Sequence, residues 1–319
     1  MGNQRGQAIE ALQQRHGALA VPNPKLSVLI PTLNRGKLFH DTVRQVMASS
    51  FVDFELIIVD QSDPAQREAN EALVAELSDT RIVYMHLTQK GLPNARNEGM
   101  AIAKGEIWLF LDDDVIFIGE VLGAHVECYR DSTVGGVTGR IVERTVRPNV
   151  EVTKNEISSG DRVLTNLWGA EPCDIQTLKG ANMSYRATAA RAVKGFDRQY
   201  TGTALLEDTD YSERVRRAGW RLLFEPKAEL VHLSALQGGV RVEDALRTEY
   251  WRFRNCCYFV LKYRGVNHLP LFLATYSSIA AKRAVEWRKP SALVELSKAI
   301  ADGISAWKEG PDEEIPSVD

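Results

Sequence analysis

Three consecutive carboxylates close an apolar run in "LFLDDDV", residues 109 to 115. On an extended chain, residues i and i+2 share a face, so Asp112 and Asp114 can converge while Asp113 points away. Two converging carboxylates make a hard-oxygen site for Mg²⁺ or Mn²⁺, ions that keep open positions for phosphate oxygens. The competing reading is a solvated acidic turn, because carboxylates are costly to take out of water. Asp60, in "VDQSD", ends another apolar run and can accept a hydrogen bond from a base or ribose. It can equally build a turn with Ser62 and Asp63. Arg96 and Asn97 in "PNARNEG" fall early in a helical pattern. An arginine there can reach a phosphate with two N–H groups, or simply face solvent. Glu207, Asp208 and Asp210 of "LLEDTD" precede a helical pattern, where acids satisfy exposed N–H groups and the helix dipole. His232 ends "KAELVHL" and shares a face with Leu230; a lone histidine at a strand end is an ordinary structural residue.

These residues need elements to hold them. "KLSVLIPT" (25–32), "FELIIVD" (54–60), "RIVYMHL" (81–87) and "EIWLFLD" (106–112) read as buried strands. Between them lie helical patterns. Phe39, Val43, Val46 and Met47 share a face in the first, "PAQREANEALVAELSD" is the second, and "LPNARNEGMAIAKG" is the third, closed by Gly105. Alternating strands and helices of this length argue a parallel sheet with helices on both faces. Ligands bind such sheets at the carboxyl ends of the strands, where Pro31, Asp60 and Asp112 fall. Beyond residue 115, "GGVTGRIV" reads as one more strand. Residues 144–175, with Trp168, are irregular. "GANMSYRA" leads into a helix, "LLEDTDYSERVRRAGW" holds a helix stopped by Gly219, and "WRLLFEPKAELVHLS" reads as two short strands. The chain beyond residue 240 reads as helical.

Composition narrows the classes. The chain has 319 residues, 44% hydrophobic and 25% charged, with net charge −3. That balance is globular and offers no electrostatic case for nucleic acid. The cysteines, Cys128, Cys173, Cys256 and Cys257, lack C-x-x-C spacing and fit a reducing compartment without a zinc site. The N-terminal stretch has no apolar h-region, and no run is long enough to span a bilayer. A cytoplasmic location is expected, with peripheral contact on the inner face of a membrane through the aromatic and basic residues 250–290 as a further expectation. The competing reading of the Tyr250–Arg264 cluster is core plus solvated face.

In order along the chain, "LSVLIPTLNR", "FELIIVDQSD", "GLPNARNEG", "GEIWLFLDDDV", "GANMSYR" and "LLEDTDYSERVRRAGW" resemble the family 2 nucleotide-sugar glycosyltransferases of the GT-A fold. The resemblance covers roughly residues 25–235. It implies that Asp112 and Asp114 hold a divalent cation bridging the donor diphosphate, with Asp113 touching the ribose. His232 matches the placement of a further metal ligand. Pro31, Thr32 and Asn34 match the loop that packs against base and ribose. Gln61 stands where the family more often has a second acid that reads uracil, which leaves thymidine or guanosine donors open. Asn182 falls near the donor sugar. Asp208 matches the carboxylate that takes the acceptor's proton, with Glu207 beside it.

The expected fold is therefore α/β of the GT-A type. It comprises an N-terminal arm (1–24), a catalytic domain (25–239) with its nucleotide-binding half at 25–115 and acceptor-binding half at 116–239, and a helical extension (240–319). The expected activity is inverting transfer of a sugar, of hexosyl type, from a nucleoside-diphosphate sugar to a carbohydrate or lipid-linked hydroxyl. The resemblance implies a role in bacterial cell-surface polysaccharide or glycolipid synthesis. One alternative is a nucleotidyltransferase, although "PTLNRGK" is not a glycine-rich phosphate loop. The other is a non-catalytic sugar-nucleotide-binding subunit, which would need neither the Glu-Asp pair nor a metal.

Overall fold

The computed structural model describes residues 23–143, 155–157, 163–165, 169–235, 237–239 and 244–317. Most of the expected N-terminal arm, and Trp168 with most of the irregular segment, lie outside them. Strands β1 (Leu26–Thr32), β2 (Phe54–Asp60), β3 (Ile82–His86) and β4 (Ile107–Leu111) are parallel, in the order β3-β2-β1-β4. Every residue of β1, β2 and β4 is buried, which is why these strands read as unbroken apolar runs. Helices α1 (Lys37–Met47), α2 (Pro64–Leu77) and α3 (Leu92–Ile102) make the crossovers. Helix α1 turns Phe39, Val43 and Val46 into the core, one stripe at helical spacing.

The second half departs from a purely parallel sheet. It contains β5 (Val115–Ile118), α4 (Val121–Cys128), β6 (Val134–Glu143), the hairpin β7 (Asn155–Ile157) and β8 (Val163–Thr165), and β9 (Cys173–Asp174). Then come β10 (Asn182–Arg186), α5 (Ala187–Ala192), α6 (Glu207–Arg217) and β11 (Arg221–His232). The main sheet continues β4-β10-β6-β11-β5, and β9 pairs with β11. Strand β10 is antiparallel to both neighbours, and β5 is antiparallel to β11, so the sheet is mixed.

Three local expectations need correction. The segment 221–232 is one strand, with an irregularity between Glu225 and Leu230. Pro226 lies in that interval and has no N–H for the ladder. Gly139 allows the close approach of β6 there, since a Cβ on it would lie 2.0 Å from the Ala228 carbonyl oxygen. Helix α3 ends at Ile102, and Gly105 does not close it. Gly105 instead lets the chain pass Ser27, whose backbone nitrogen would lie 2.5 Å from an added Cβ. Helix α6 starts at Glu207, so the acidic pair lies in its first turn and not ahead of it.

Helices α7 (Ala245–Arg264), α8 (Leu269–Glu286) and α9 (Ser291–Glu309) build a second apolar cluster. Asp244 caps α7 by accepting from the Leu246 and Arg247 N–H groups. Phe253, Cys257, Tyr258 and Phe259 of α7 are buried, so that helix is largely core. Tyr200 and Leu206, from the acceptor-side half, belong to the same cluster. The chain after α9 returns to the sheet: Gly195 donates to the Glu313 carbonyl at 2.6 Å and Arg198 to the Asp312 carbonyl at 2.8 Å. Lys262 of α7 sets its ammonium 2.7 Å from Asp197, 2.7 Å from Asp210 and 2.8 Å from Glu313.

Candidate active site

The parallel register sets Thr32 beside Asp60, and β4 delivers Asp112 one residue past its own end, on the other side of β1. Strand β11 returns antiparallel to β5 and pairs His232 with Val115, the residue after Asp114. This pairing, remote in sequence, brings the imidazole to the carboxylates. His232 Nε2 lies 3.5 Å from Asp112 Oδ2 and 3.2 Å from Asp114 Oδ1. One ligand atom from each of the three residues fits within 4.8 Å of the others. Asp114 is fully buried; its Oδ2 accepts from the Ala235 N–H at 2.8 Å, while Oδ1 has no well-directed hydrogen bond. Burial opposes its ionised form, but His232 and Arg35 hold its carboxyl below the usual range. Burial also opposes a charged His232, yet Asp114, Glu143 and Asp112 overcome it and raise the imidazole to about 10. Two carboxylates and an imidazole, deprotonated on binding, form a donor set suited to Mn²⁺ or a similar cation.

Asp113 turns away from that set, as alternation on an extended chain requires. It accepts from Thr32 Oγ1 at 2.7 Å and from Arg35 Nε at 2.8 Å. Burial pushes its carboxyl up to about 6, against the pull of Arg35. Arg35 was not among the expected site residues. Its guanidinium also donates to the carbonyls of Ala235, Gln237 and Gly238, at 3.2, 2.8 and 3.3 Å, tying the loop after β11 to the loop after β1. A lone arginine in "LNRGK" resembles any solvated loop cation, and its partners, Asp113 and the carbonyls after β11, are all distant in sequence. Pro31, Thr32, Arg35, Gln61, Asp112, Asp113 and His232 line one cavity.

A second cavity shares Asp112 and His232 with the first. Its other walls include Arg96, Glu143, Lys179, Glu207 and Asp208. Asp208 Oδ2 accepts from the Gly180 N–H at 3.0 Å and Oδ1 from the Thr209 N–H at 2.7 Å. Lys179 Nζ stands 3.8 Å from Oδ2, a second contact the sequence did not single out. Arg96 is buried and pairs with Glu207, donates to the Gly180 carbonyl at 3.2 Å and lies 3.8 Å from Asp112. Its guanidinium also stacks over Phe196, 5.2 Å from the ring centre. Burial pushes the Glu207 carboxyl up to about 7, against Arg96. Glu207 Oε2 is buried without a hydrogen-bond partner. Ala204 and Leu206, just before α6, both hold left-handed backbone, with φ of 54° and 75°. Such strain in non-glycine residues is typically concentrated at functional sites.

Four expected site residues make hydrogen bonds to other parts of the protein. Asp60 is fully buried, accepting from Ser62 N–H at 2.7 Å, Asn70 Nδ2 at 2.8 Å and Tyr84 hydroxyl at 2.6 Å. Asn34 pairs with Asp63 in both directions, at 2.8 and 2.9 Å, and fastens the two loops together. Asn97 clamps the Phe196 backbone through its amide, donating at 2.8 Å and accepting at 2.7 Å. Asn182 contacts His125 Nε2 and donates to the Ala228 carbonyl, both at 2.8 Å, and is fully buried. None of the four lines either cavity. Gln61 does line the first, with its amide donating to the Gln89 carbonyl at 2.6 Å.

Comparison with known proteins follows the same outline. The sequence model for Glycosyl transferase family 2 matches residues 27–191. A putative colanic acid biosynthesis glycosyl transferase, WcaA of Escherichia coli K12, is 32% identical over 93 residues, 29% of this chain and 33% of that protein. The GalNAc(5)-diNAcBac-PP-undecaprenol beta-1,3-glucosyltransferase of Campylobacter jejuni is 37% identical over 95 residues, 28% of this chain and 30% of its own. The chain thus matches about a third of the length of these relatives. The mannosyltransferase PcManGT of Pyrobaculum calidifontis, solved with GDP-Man and Mn²⁺, superposes with a TM-score of 0.56 at 16% identity, over 95% of this chain and 87% of that one. That likeness is one of fold, and the fold is GT-A.

Proposed function

The chain belongs to glycosyl transferase family 2, and from that membership we propose that it moves a sugar from a nucleoside-diphosphate sugar to a hydroxyl acceptor, inverting the anomeric centre. The observation that carries the reading is the seam between the two cavities: Asp112 and His232 border both, while Asp208 lines only the second. Donor and acceptor would then meet at the carboxylate cluster from opposite sides, as a single displacement requires.

Asp112, Asp114 and His232 would hold the cation, consistent with their donor chemistry and convergence. A divalent ion there supplies Lewis-acid stabilisation of the leaving diphosphate. Pro31, Thr32, Gln61 and Asp113 would take the nucleoside, with Arg35 beside them. On the acceptor side, Asp208 would receive the hydroxyl proton, since a hydroxyl is a weak nucleophile at neutral pH. Its two backbone N–H donors fix the carboxylate's orientation toward the cavity. Glu207 Oε2, buried and unpartnered, suits a hydrogen bond from the acceptor. Arg96 holds Glu207 and stands between it and Asp112, which supports a role in balancing charge at the seam. The names of the E. coli and C. jejuni relatives support an acceptor in cell-surface polysaccharide or lipid-linked glycan synthesis.

The test is a panel of uridine, thymidine and guanosine diphosphate sugars with Mn²⁺. Nucleoside diphosphate release is followed with and without candidate acceptors, and product configuration by NMR. Acceptor-stimulated release with inversion is expected. Release of pyrophosphate from a nucleoside triphosphate would replace this reading with nucleotidyl transfer. Retention would remove Asp208 as base.

A further inference from the structure

The exposed large apolar side chains are unevenly distributed. Of the nine among the described residues, six lie between Val266 and Val294. Residues 265–281 contain no Asp, Glu, Lys or Arg. Helix α8 buries Phe272, Ala280 and Ala284 on its inner side. Its outer side presents Leu271, Ala274, Ser278, Ala281 and Val285, all exposed and spaced as one helical face. Leu293 and Val294 of α9 are exposed as well, at 43% and 69%. Leu271, Ala274, Ala281 and Val285 make that side largely apolar, interrupted by Ser278, and such an exposed face calls for a cover.

Charge selects the cover. Residues 264–298 hold six Lys and Arg against two Asp and Glu, in a chain whose net charge is −3. Arg264 lies before the uncharged run, and Lys282, Arg288, Lys289 and Lys298 follow it, all exposed. A second copy meeting this face about a two-fold axis would set the same basic rim against itself, and like-charge contact disfavours that. An anionic lipid surface complements both parts: apolar side chains enter the boundary between headgroups and acyl chains, and the rim meets phosphate. No described helix is long and apolar enough to cross a membrane, so the face would lie on the surface.

We propose that α8, with the Leu293–Val294 edge of α9, is a docking face for an anionic lipid surface. The inference rests on surface chemistry alone and stands apart from the sugar-transfer reading. It bears on the acceptor side through α7, which packs on both helices. Asn255 of α7 donates to the Thr201 carbonyl at 3.1 Å, and Trp251 lies so close over Gly202 that a Cβ there would meet its ring at 2.0 Å. The loop so braced continues into Thr203–Leu206, a wall of the second cavity.

The test uses the whole chain and sedimentation with vesicles of phosphatidylcholine, or of equimolar phosphatidylcholine and phosphatidylglycerol. Binding to the mixture is expected, with little binding to phosphatidylcholine and weakening at high salt as the charges are screened. Arg288→Ala/Lys289→Ala should lower partitioning about thirtyfold. Leu271→Glu/Val285→Glu should abolish it, while circular dichroism melting, insensitive to these exposed positions, stays near wild type. No sedimentation with the mixture, equal sedimentation with phosphatidylcholine, or wild-type binding by both variants would overturn the proposal. So would a concentration-dependent dimer in light scattering that Leu271→Glu/Val285→Glu dissolves, because the face would then belong to a second copy.

Discussion

Replacing Asp208 by Asn tests the proposed base, and the structure shows that the change is not silent elsewhere. The carboxylate accepts two backbone N–H groups, from Gly180 at 3.0 Å and Thr209 at 2.7 Å, one on each oxygen. An amide has a single acceptor oxygen. Whichever way it lies, its NH₂ faces one of those N–H donors, and a buried donor loses its partner. Such a loss destabilises by about 1–3 kcal/mol, a melting shift of a few degrees. The chemical effect is larger: loss of a general base lowers the rate by about 10² to 10⁴. Donor binding should hardly change, because Asp208 lines only the second cavity. The assay pairs an acceptor-dependent rate with donor titration by calorimetry and a melting curve. The expected pattern is a rate loss of that order, a donor constant within about threefold, or about 0.7 kcal/mol, and a modest melting shift. Near wild-type transfer would refute the assignment and move the search to Glu207. A comparable loss of donor affinity would assign Asp208 to the nucleotide side.

Asp114→Ala and His232→Ala should each remove the Mn²⁺-dependent part of nucleotide binding. Wild type with a nucleoside diphosphate at about 100 times its dissociation constant should gain roughly 2.7 kcal/mol by thermal shift. An unchanged gain in either variant would exclude that residue as a ligand. Arg96→Met leaves Glu207 buried and unpaired, and chemical denaturation should show a loss of about 3–5 kcal/mol. Adding Glu207→Leu should restore much of it; no restoration would mean that the packing of Arg96 on Phe196, and not its charge, is what matters. The Lys262 site makes stability acid-sensitive. Burial opposes ionised Asp197, but Lys262 and Tyr258 hold its carboxyl below the ordinary value of 3.8. A depressed folded-state value means stability that is fully present above that value and lost as pH falls through and below it. Lys262→Met should flatten this dependence in melting curves taken from pH 5 to 2.5, and an unchanged slope would remove the pair as its source.

Local pattern carried much of the fold to the page. The first four strands read directly because burial on both faces makes them continuous and apolar, and short helices of ordinary length separate them. The failures share one cause: they depend on partners distant in sequence. Strand β5 follows the aspartates directly and is too short to stand out as a separate run; pairing with β11 makes it a strand. Asp60, Asn97 and Asn182 each have a hydrogen-bond partner on another element, which their motifs did not show. Arg35 and Lys179 failed the other way, since their carbonyl and carboxylate partners lie on later loops and helices. Asp112, Asp114 and His232 converge because strand alternation and one antiparallel register determine where they point. Alternation was visible in the residues; the register was not.

The ammonium of Lys262 also bears on how this chain can be cut, grafted or recombined. Asp197 and Asp210 are fully buried; Asp210 pairs with Arg214 of its own helix, but the ammonium shared by both carboxylates arrives from a helix that begins after residue 244. A breakpoint at residue 239, natural by composition, would remove that ammonium from both carboxylates and leave Asp210, two residues from Asp208, with Arg214 alone. It would also remove the tail that hydrogen-bonds Gly195 and Arg198. A chimera that exchanges catalytic halves between relatives should therefore inherit its helical extension from the same parent. The unit of inheritance is set by where the counter-charge comes from, not by where the sheet ends.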